Sequence, residues 1–242
     1  MRAQAREANQ NSDSTPSAPR SAVATTLQGR CVVVGVTGSV AALRSLELVE
    51  ALRARRANAL VVATANGLRF LGQAAAEYSG AASALAPADL VAFFRERGVS
   101  LFTDEDEWRS WAKIGDPVLH IEIRRQADIL VVAPASANAL AKLAYGICDN
   151  LLLCVARAWE LGSKPVLVAP AMNTAMWHHP VTTEHLQLLV KRGTHIIEPT
   201  VKMLACGDTG VGAMASVDTI VRAIEDQLTG AVSGAASSAP TT

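Results

Sequence analysis

The sequence predicts an α/β fold, a doubly wound three-layer domain on a parallel sheet, and three observations predict it. Short apolar runs rich in β-branched residues recur through the middle of the chain, continuous rather than alternating. Strands of that kind are buried on both faces. The segments between the runs carry helical periodicity, and parallel strands require such crossovers. Half of the 242 residues are hydrophobic, enough to fill one sizeable core.

The first run is 31–36, followed by a helical stretch over 39–56. The second covers 59–64, and the third, 129–133, leads into a helix from Ser136. The fourth is 165–169 and the fifth 195–197, with a closing helix over 217–228. The stretch 72–98 fits less well, and its Ala-rich part, 74–86, resembles an insertion. Asp116 and Pro117 suit the N-cap and first position of another helix, with Leu119, Ile123 and Ala127 as its core stripe. Residues 1–28 and 230–242 are rich in small and polar residues without apolar periodicity. They are expected to be disordered tails around a single domain at 29–229. Arg2, Arg6 and Arg20 would suit a mitochondrial presequence, but Glu7 and Asp13 interrupt it and no arginine-faced helix is visible.

Composition removes several function classes. The 22 basic and 22 acidic side chains cancel, so no nucleic-acid partner held by excess positive charge is expected. No apolar run approaches the ~18 residues of a membrane span, so no membrane partner is expected either. The four cysteines form no C-x-x-C pair, which gives neither a disulfide framework nor a common zinc pattern. A reducing, cytoplasmic location is expected.

In an open parallel sheet, ligands bind beyond the carboxyl ends of the strands. The first such junction reads Gly35-Val36-Thr37-Gly38-Ser39-Val40-Ala41. Gly38 permits a tight turn, Ser39 suits an N-cap, and backbone N–H groups at a helix start favour an anion. The full G-x-G-x-x-G fingerprint is absent. The second junction, Thr64-Ala65-Asn66, has no acidic residue before Glu77 to hold ribose hydroxyls, which argues against a nicotinamide dinucleotide. The third, Ala133-Pro134-Ala135-Ser136-Ala137-Asn138, enters its helix through small polar residues. Capping alone accounts for any one of them. Three together suit the phosphate and ring of a mononucleotide.

Three further residues stand out. His120 falls in the first turn of the helix after Asp116, where the positive helix end favours a neutral ring able to accept a proton. A histidine without a chemical task fits that position equally. Asn173, in Pro170-Ala171-Met172-Asn173-Thr174-Ala175-Met176-Trp177, can donate its amide to a carboxylate without bringing charge, or can serve as a local cap. His178 and His179, with His185 and His195, make no known ligand spacing; they read as surface residues and no metal is expected. Segment 204–214 holds Gly207, Gly210 and Gly212 beside Cys206, the pattern of a mobile loop that can bring a thiol to a substrate. Cys31, Cys148 and Cys154 lie in apolar contexts and read as core.

Taken together these segments resemble the phosphopantothenoylcysteine decarboxylases, within the flavin-containing cysteine decarboxylase family. The matching text is Gly38-Ser39-Val40-Ala41-Ala42, TDEDEW at 103–108, GDPVLHIEI at 115–123, PASAN at 134–138, GICDNLL at 146–152, PAMNTAMW at 170–177 and LACGDTGVGAM at 204–214. The departures are the Ala-rich segment, the long N-terminal tail, and Asn66-Gly67 where serines are more usual.

The resemblance implies a flavodoxin-like subunit in a homotrimer, with FMN near a subunit interface. The implied reaction removes CO2 from the cysteine carboxylate of 4'-phosphopantothenoylcysteine and yields 4'-phosphopantetheine for coenzyme A synthesis. A departing carboxylate leaves electrons with no sink. In the family, FMN oxidises the thiol to a thioaldehyde that takes them, and the resulting ene-thiol is reduced back. By matching position, His120 is the essential histidine, Asn173 binds the substrate carboxylate, and Cys206 gives the proton of the final reduction. Met172 and Ala205 line the substrate. Gly38, Ser39, Val40, Thr64, Asn66, Ser136, Ala137, Asn138, Ala139 and Ala171 contact FMN.

Other functions share this domain. Peptide oxidative cysteine decarboxylases stop at the ene-thiol and lack the cysteine for re-reduction, so Cys206 favours the coenzyme A reaction. Phosphatase-regulating subunits of the halotolerance type carry long acidic extensions, whereas neither tail here is acidic. An electron-transfer flavoprotein leaves His120, Asn173 and Cys206 without purpose. With His120 and Cys206 on one chain, a self-sufficient homotrimer is expected. The apolar helix around 151–159 would suit either a subunit contact or the core.

Overall fold

The computed structural model describes residues 26–203 and 209–230. Six strands pair in parallel: β1 (Cys31–Val36), β2 (Asn58–Ala63), β3 (Ser100–Phe102), β4 (Ile129–Ala135), β5 (Val166–Pro170) and β6 (Thr194–Ile196). Their spatial order is β3-β2-β1-β4-β5-β6. Every residue of β1, β4 and β5 is buried, as continuous apolar runs require. Without the short edge strand β3 the order becomes 2-1-3-4-5, the flavodoxin-like arrangement.

Ten helices are described: α1 (Ser45–Ala54), α2 (Ala65–Ser79), α3 (Pro87–Glu96), α4 (Asp104–Ser110), α5 (Leu119–Gln126), α6 (Ala137–Tyr145), α7 (Leu151–Arg157), α8 (Thr174–Trp177), α9 (Pro180–Lys191) and α10 (Val217–Thr229). Side chains alternate across the sheet, so β1 sends Val32, Val34 and Val36 to one face and Val33 to the other. The first face packs against α1, α2, α3 and α10 through Leu52, Leu71, Phe94 and Ile220. The second packs against α5, α6, α7 and α9 through Ile123, Leu140, Leu152 and Leu189. No described helix is long and apolar enough to cross a membrane.

Several expectations need correction. The helical stretch after β1 opens as a 3-10 turn, Val40–Arg44, before α1 begins. The Ala-rich stretch is part of the core: Ala74, Ala75 and Ala76 of α2 are buried, as are Leu90, Phe93 and Phe94 of α3. The start of α2 meets the sheet at Gly67, where a Cβ would lie 2.3 Å from the Val36 carbonyl oxygen. Strand β3 and helix α4 went unpredicted, the first because it is three residues long, the second because none of its residues is buried and it has no apolar stripe. Helix α5 starts at Leu119 with Val118 at its N-cap, not at Asp116. The Asp116 carboxylate accepts instead from Ala112 and Lys113 N–H, both at 2.9 Å, closing a preceding turn. Leu27, within the expected tail, is fully buried in the core; residues 1–25 and 231–242 lie outside the described residues.

The segment expected to be a mobile glycine loop is partly regular. Strands β7 (Thr200–Met203) and β8 (Thr209–Ala213) form a separate antiparallel pair. Gly212 is there for close approach. Its φ is +134°, and a Cβ on it would lie 2.3 Å from the Met172 carbonyl oxygen. The Met172 N–H in turn donates to the Gly212 carbonyl at 3.0 Å. Residues 204–208, including Ala205 and Cys206, lie outside the described residues.

Candidate functional site

The strand order reverses between β1 and β4, the switch point at which α/β sheets open a crevice. Thr37, just past β1, joins the two sides. Its hydroxyl donates to the Pro134 carbonyl and accepts from the Ser136 N–H, both at 2.8 Å, in a fully buried position. One side chain thereby fixes the start of α6 relative to the end of β1.

Around this tie the three junctions are assembled from caps. The Ser39 hydroxyl accepts from Ala41 N–H at 3.4 Å. Thr64 caps α2 by accepting from Gly67 N–H at 3.2 Å, and Ser136 caps α6 by accepting from Ala139 N–H at 3.3 Å. First-turn amides beside these caps have no acceptor within their own helix and carry the positive helix end. Gly38 joins the first junction to the second, since a Cβ there would fall 2.6 Å from the Asn66 Cβ. Its task is contact rather than an unusual turn.

The junctions enclose a cavity of about 550 Å³, within the ~300–1,000 Å³ typical of cofactor sites. Its wall contains Gly38, Ser39, Val40, Thr64, Asn66, Ser136, Ala137, Asn138, Ala139, Ala171 and Met172. The structure thus brings these sequence-predicted residues together. Sequence reasoning missed Thr37, Phe70, Asp104, Lys142, Asp149 and Met176 in the same wall. Lys142 and Asp149 form an ion pair, and the Asp104 carboxylate accepts from Leu151 N–H at 2.7 Å, capping α7 from another helix. The conspicuous TDEDEW run was a signal for Asp104.

Asn173 follows Met172 and caps α8. Its Oδ1 accepts from Met176 N–H at 2.8 Å, which leaves the amide nitrogen as donor on an exposed side chain. His120 does not line the cavity. It lies in the first turn of α5 with its ring against α4, Nδ1 at 2.6 Å from Glu107 Oε1, and its backbone N–H donates to Glu107 Oε2 at 3.0 Å. Glu107 was not singled out in the sequence, because its partner is 13 residues away.

The other histidines and cysteines divide. His178 and His179 are exposed, but His185, expected at the surface, is buried edge-on against Tyr145. Cys31 is core, and burial, with Asp128 nearby, raises its thiol to about 11. Cys148, expected in the core, is exposed in the turn between α6 and α7. Cys154 is half-buried and its thiol is raised, first by burial and then by Cys148 and nearby carboxylates. Helix α7, open to either reading in the sequence, is a core helix with Leu151, Leu152, Leu153 and Val155 buried.

A family model described as Flavoprotein matches residues 20–229. The probable phosphopantothenoylcysteine decarboxylase of Arabidopsis thaliana is 61% identical over 124 residues, 51% of this chain and 61% of that protein. The chain therefore spans about three fifths of that relative's length. The phosphopantothenoylcysteine decarboxylase of Mus musculus is 47% identical over 195 residues, covering 80% of this chain and 85% of the mouse protein. Among solved structures, a cysteine-to-serine variant of PPC decarboxylase complexed with pantothenoylaminoethenethiol superposes with a TM-score of 0.69 at 45% identity, covering 81% of this chain and 96% of that one. The FMN binding protein AtHal3 does so with a TM-score of 0.67 at 45% identity, covering 81% and 95%.

Proposed function

The chain belongs to the flavoprotein family, and from that premise we propose that it is an FMN-dependent phosphopantothenoylcysteine decarboxylase. One observation carries the reading: three strand-end junctions converge on a single cavity at the switch point. The residues fit FMN. The amino ends of α2 and α6 offer backbone donors of the kind that hold a phosphate. Gly38, Ala137, Ala139 and Ala171 keep parts of the wall small enough for a flat ring. FMN would supply the electron sink, taking an electron pair from the substrate thiol and returning it after CO2 has left.

The chain's own residues bind, orient and move protons. The Asn173 amide nitrogen donates to the substrate carboxylate, with its oxygen already committed to the cap. Met172 supplies apolar wall next to it. His120, outside the cavity of its own chain, acts as base on the substrate held across the subunit contact, and Cys206, in the segment with Ala205 that joins β7 to β8, gives the proton that completes the return to the thiol. Two relatives support this assignment, one named for FMN binding and one complexed with an ene-thiol. The substrate is thus a small molecule, 4'-phosphopantothenoylcysteine.

The assembly is a homotrimer in the cytoplasm, each chain folding as one domain whose core reaches back to Leu27. The exposed apolar side chains Tyr145, Ile147, Leu161 and Val190 support a subunit contact. The free thiols Cys31, Cys148 and Cys154 support a reducing compartment. The deciding experiment is an absorbance spectrum of the purified protein with a CO2-release assay on phosphopantothenoylcysteine. A flavin spectrum and stoichiometric CO2 are expected; colourless protein that riboflavin phosphate fails to reconstitute would overturn the proposal.

A further inference from the structure

Glu107 makes two contacts to one residue. Through Oε2 it accepts from the backbone N–H of His120, and through Oε1 it meets the ring Nδ1 at 2.6 Å. The two side chains are 16% and 24% exposed, so the contact is largely shielded from water. Glu107 is itself carried on a held helix. The start of α4 is closed by the Asp106 carboxylate, which accepts from Thr103 N–H at 2.8 Å and from its hydroxyl at 2.9 Å. One residue along, Asp104 binds the start of α7.

An ionised carboxylate has acceptors only. Both hydrogens in this pair must therefore come from His120, one from its backbone and one from Nδ1. A neutral imidazole has a single ring proton, and with that proton on Nδ1 the other nitrogen, Nε2, presents its lone pair. We propose that Glu107 is the positioning residue of the site: it holds the His120 ring in the Nδ1–H tautomer and aims Nε2 as the acceptor. The claim rests on the reading of His120 as the base, and adds to it which nitrogen acts and what fixes it.

Glutamine is the informative replacement. It keeps the shape but has one oxygen and one NH2, so it cannot accept from both His120 groups. If its oxygen keeps the backbone N–H, its NH2 faces Nδ1 and drives the ring proton to Nε2. The test is a long-range nitrogen–proton NMR spectrum of holoenzyme labelled in histidine, with His120→Gln identifying the signal, alongside CO2-release kinetics. The expected result is an Nδ1–H pattern for His120 in the native protein and an Nε2–H pattern in Glu107→Gln, with the flavin spectrum unchanged. In Glu107→Gln kcat should fall by about 10²–10⁴-fold, the range of a lost acid–base group, with KM little changed.

An Nε2–H pattern in the native protein overturns the proposal, and that measurement needs no variant to fold. A Glu107→Gln enzyme that keeps both its tautomer and its kcat overturns it as well. His120→Gln turning over normally, with the tautomer still responding to Glu107, removes the base reading instead, so the two failures are separable.

Discussion

Thr37 gives the sharpest test of how the site is held. Thr37→Val replaces the hydroxyl with a methyl of similar size, so no cavity opens and the loss is polar alone. It leaves the buried Pro134 carbonyl and the half-buried Ser136 N–H, each now bonded at 2.8 Å, without their partner. An orphaned buried polar group costs about 1–3 kcal/mol, so the Pro134 carbonyl sets a loss of about 1–3 kcal/mol, to which the Ser136 N–H, within reach of water at the cavity wall, adds less. Thr37→Ser keeps the hydroxyl and removes one methyl, at about 1 kcal/mol. Urea unfolding at one fixed protein concentration separates the two. The midpoint should fall in the order native, Thr37→Ser, Thr37→Val, with the slope unchanged. Flavin affinity should follow the same order, because Ser136 begins the helix whose first turn lines the cavity. A valine variant as stable as the serine variant would refute the reasoning, since the hydroxyl would then not be the tie between the two strands.

Three other outcomes are expected. Gly212→Ala forces a Cβ to 2.3 Å from the Met172 carbonyl at a φ of +134°; it should cost about 1–3 kcal/mol in thermal unfolding and raise KM more than it lowers kcat, by displacing Met172 and Asn173. Cys31 keeps its proton up to about 11 in the folded protein, against an ordinary 9.0; between those values the unfolded chain binds fewer protons, so stability falls as pH rises and levels off above the window. Urea midpoints taken on both sides of it should show a smaller fall in Cys31→Ala than in the native protein. Cys206→Ser should still release CO2 but yield the ene-thiol, lighter than phosphopantetheine by two hydrogens, and mass spectrometry of the product decides it.

What was legible in the sequence was what local chemistry dictates. The buried strands announce themselves through Val32, Val33 and Val34 or Leu130, Val131 and Val132, because a strand covered on both faces leaves no place for a polar residue. The caps Ser39, Thr64 and Ser136 were readable for the same reason, each bonding an amide two or three residues away. Non-local partners were not readable. Nothing near Thr37 in the chain points to Pro134, and nothing near Glu107 points to His120. The glycines of β8 were misread because a glycine needed for close contact is spelled the same as one needed for mobility; only their neighbours, the Thr174 side chain at Gly210 and the Met172 carbonyl at Gly212, distinguish them.

Helix α4 has only seven residues and buries none of them. Yet Asp104 grips the head of a core helix at the cavity wall and Glu107, one turn on, grips the imidazole. Both fittings hang from a single bracket. Any displacement of that bracket would carry the two together, because both side chains leave the same short helix. A solvent-facing, highly charged stretch of seven residues thus ties the head of a core helix and the His120 ring to one mount.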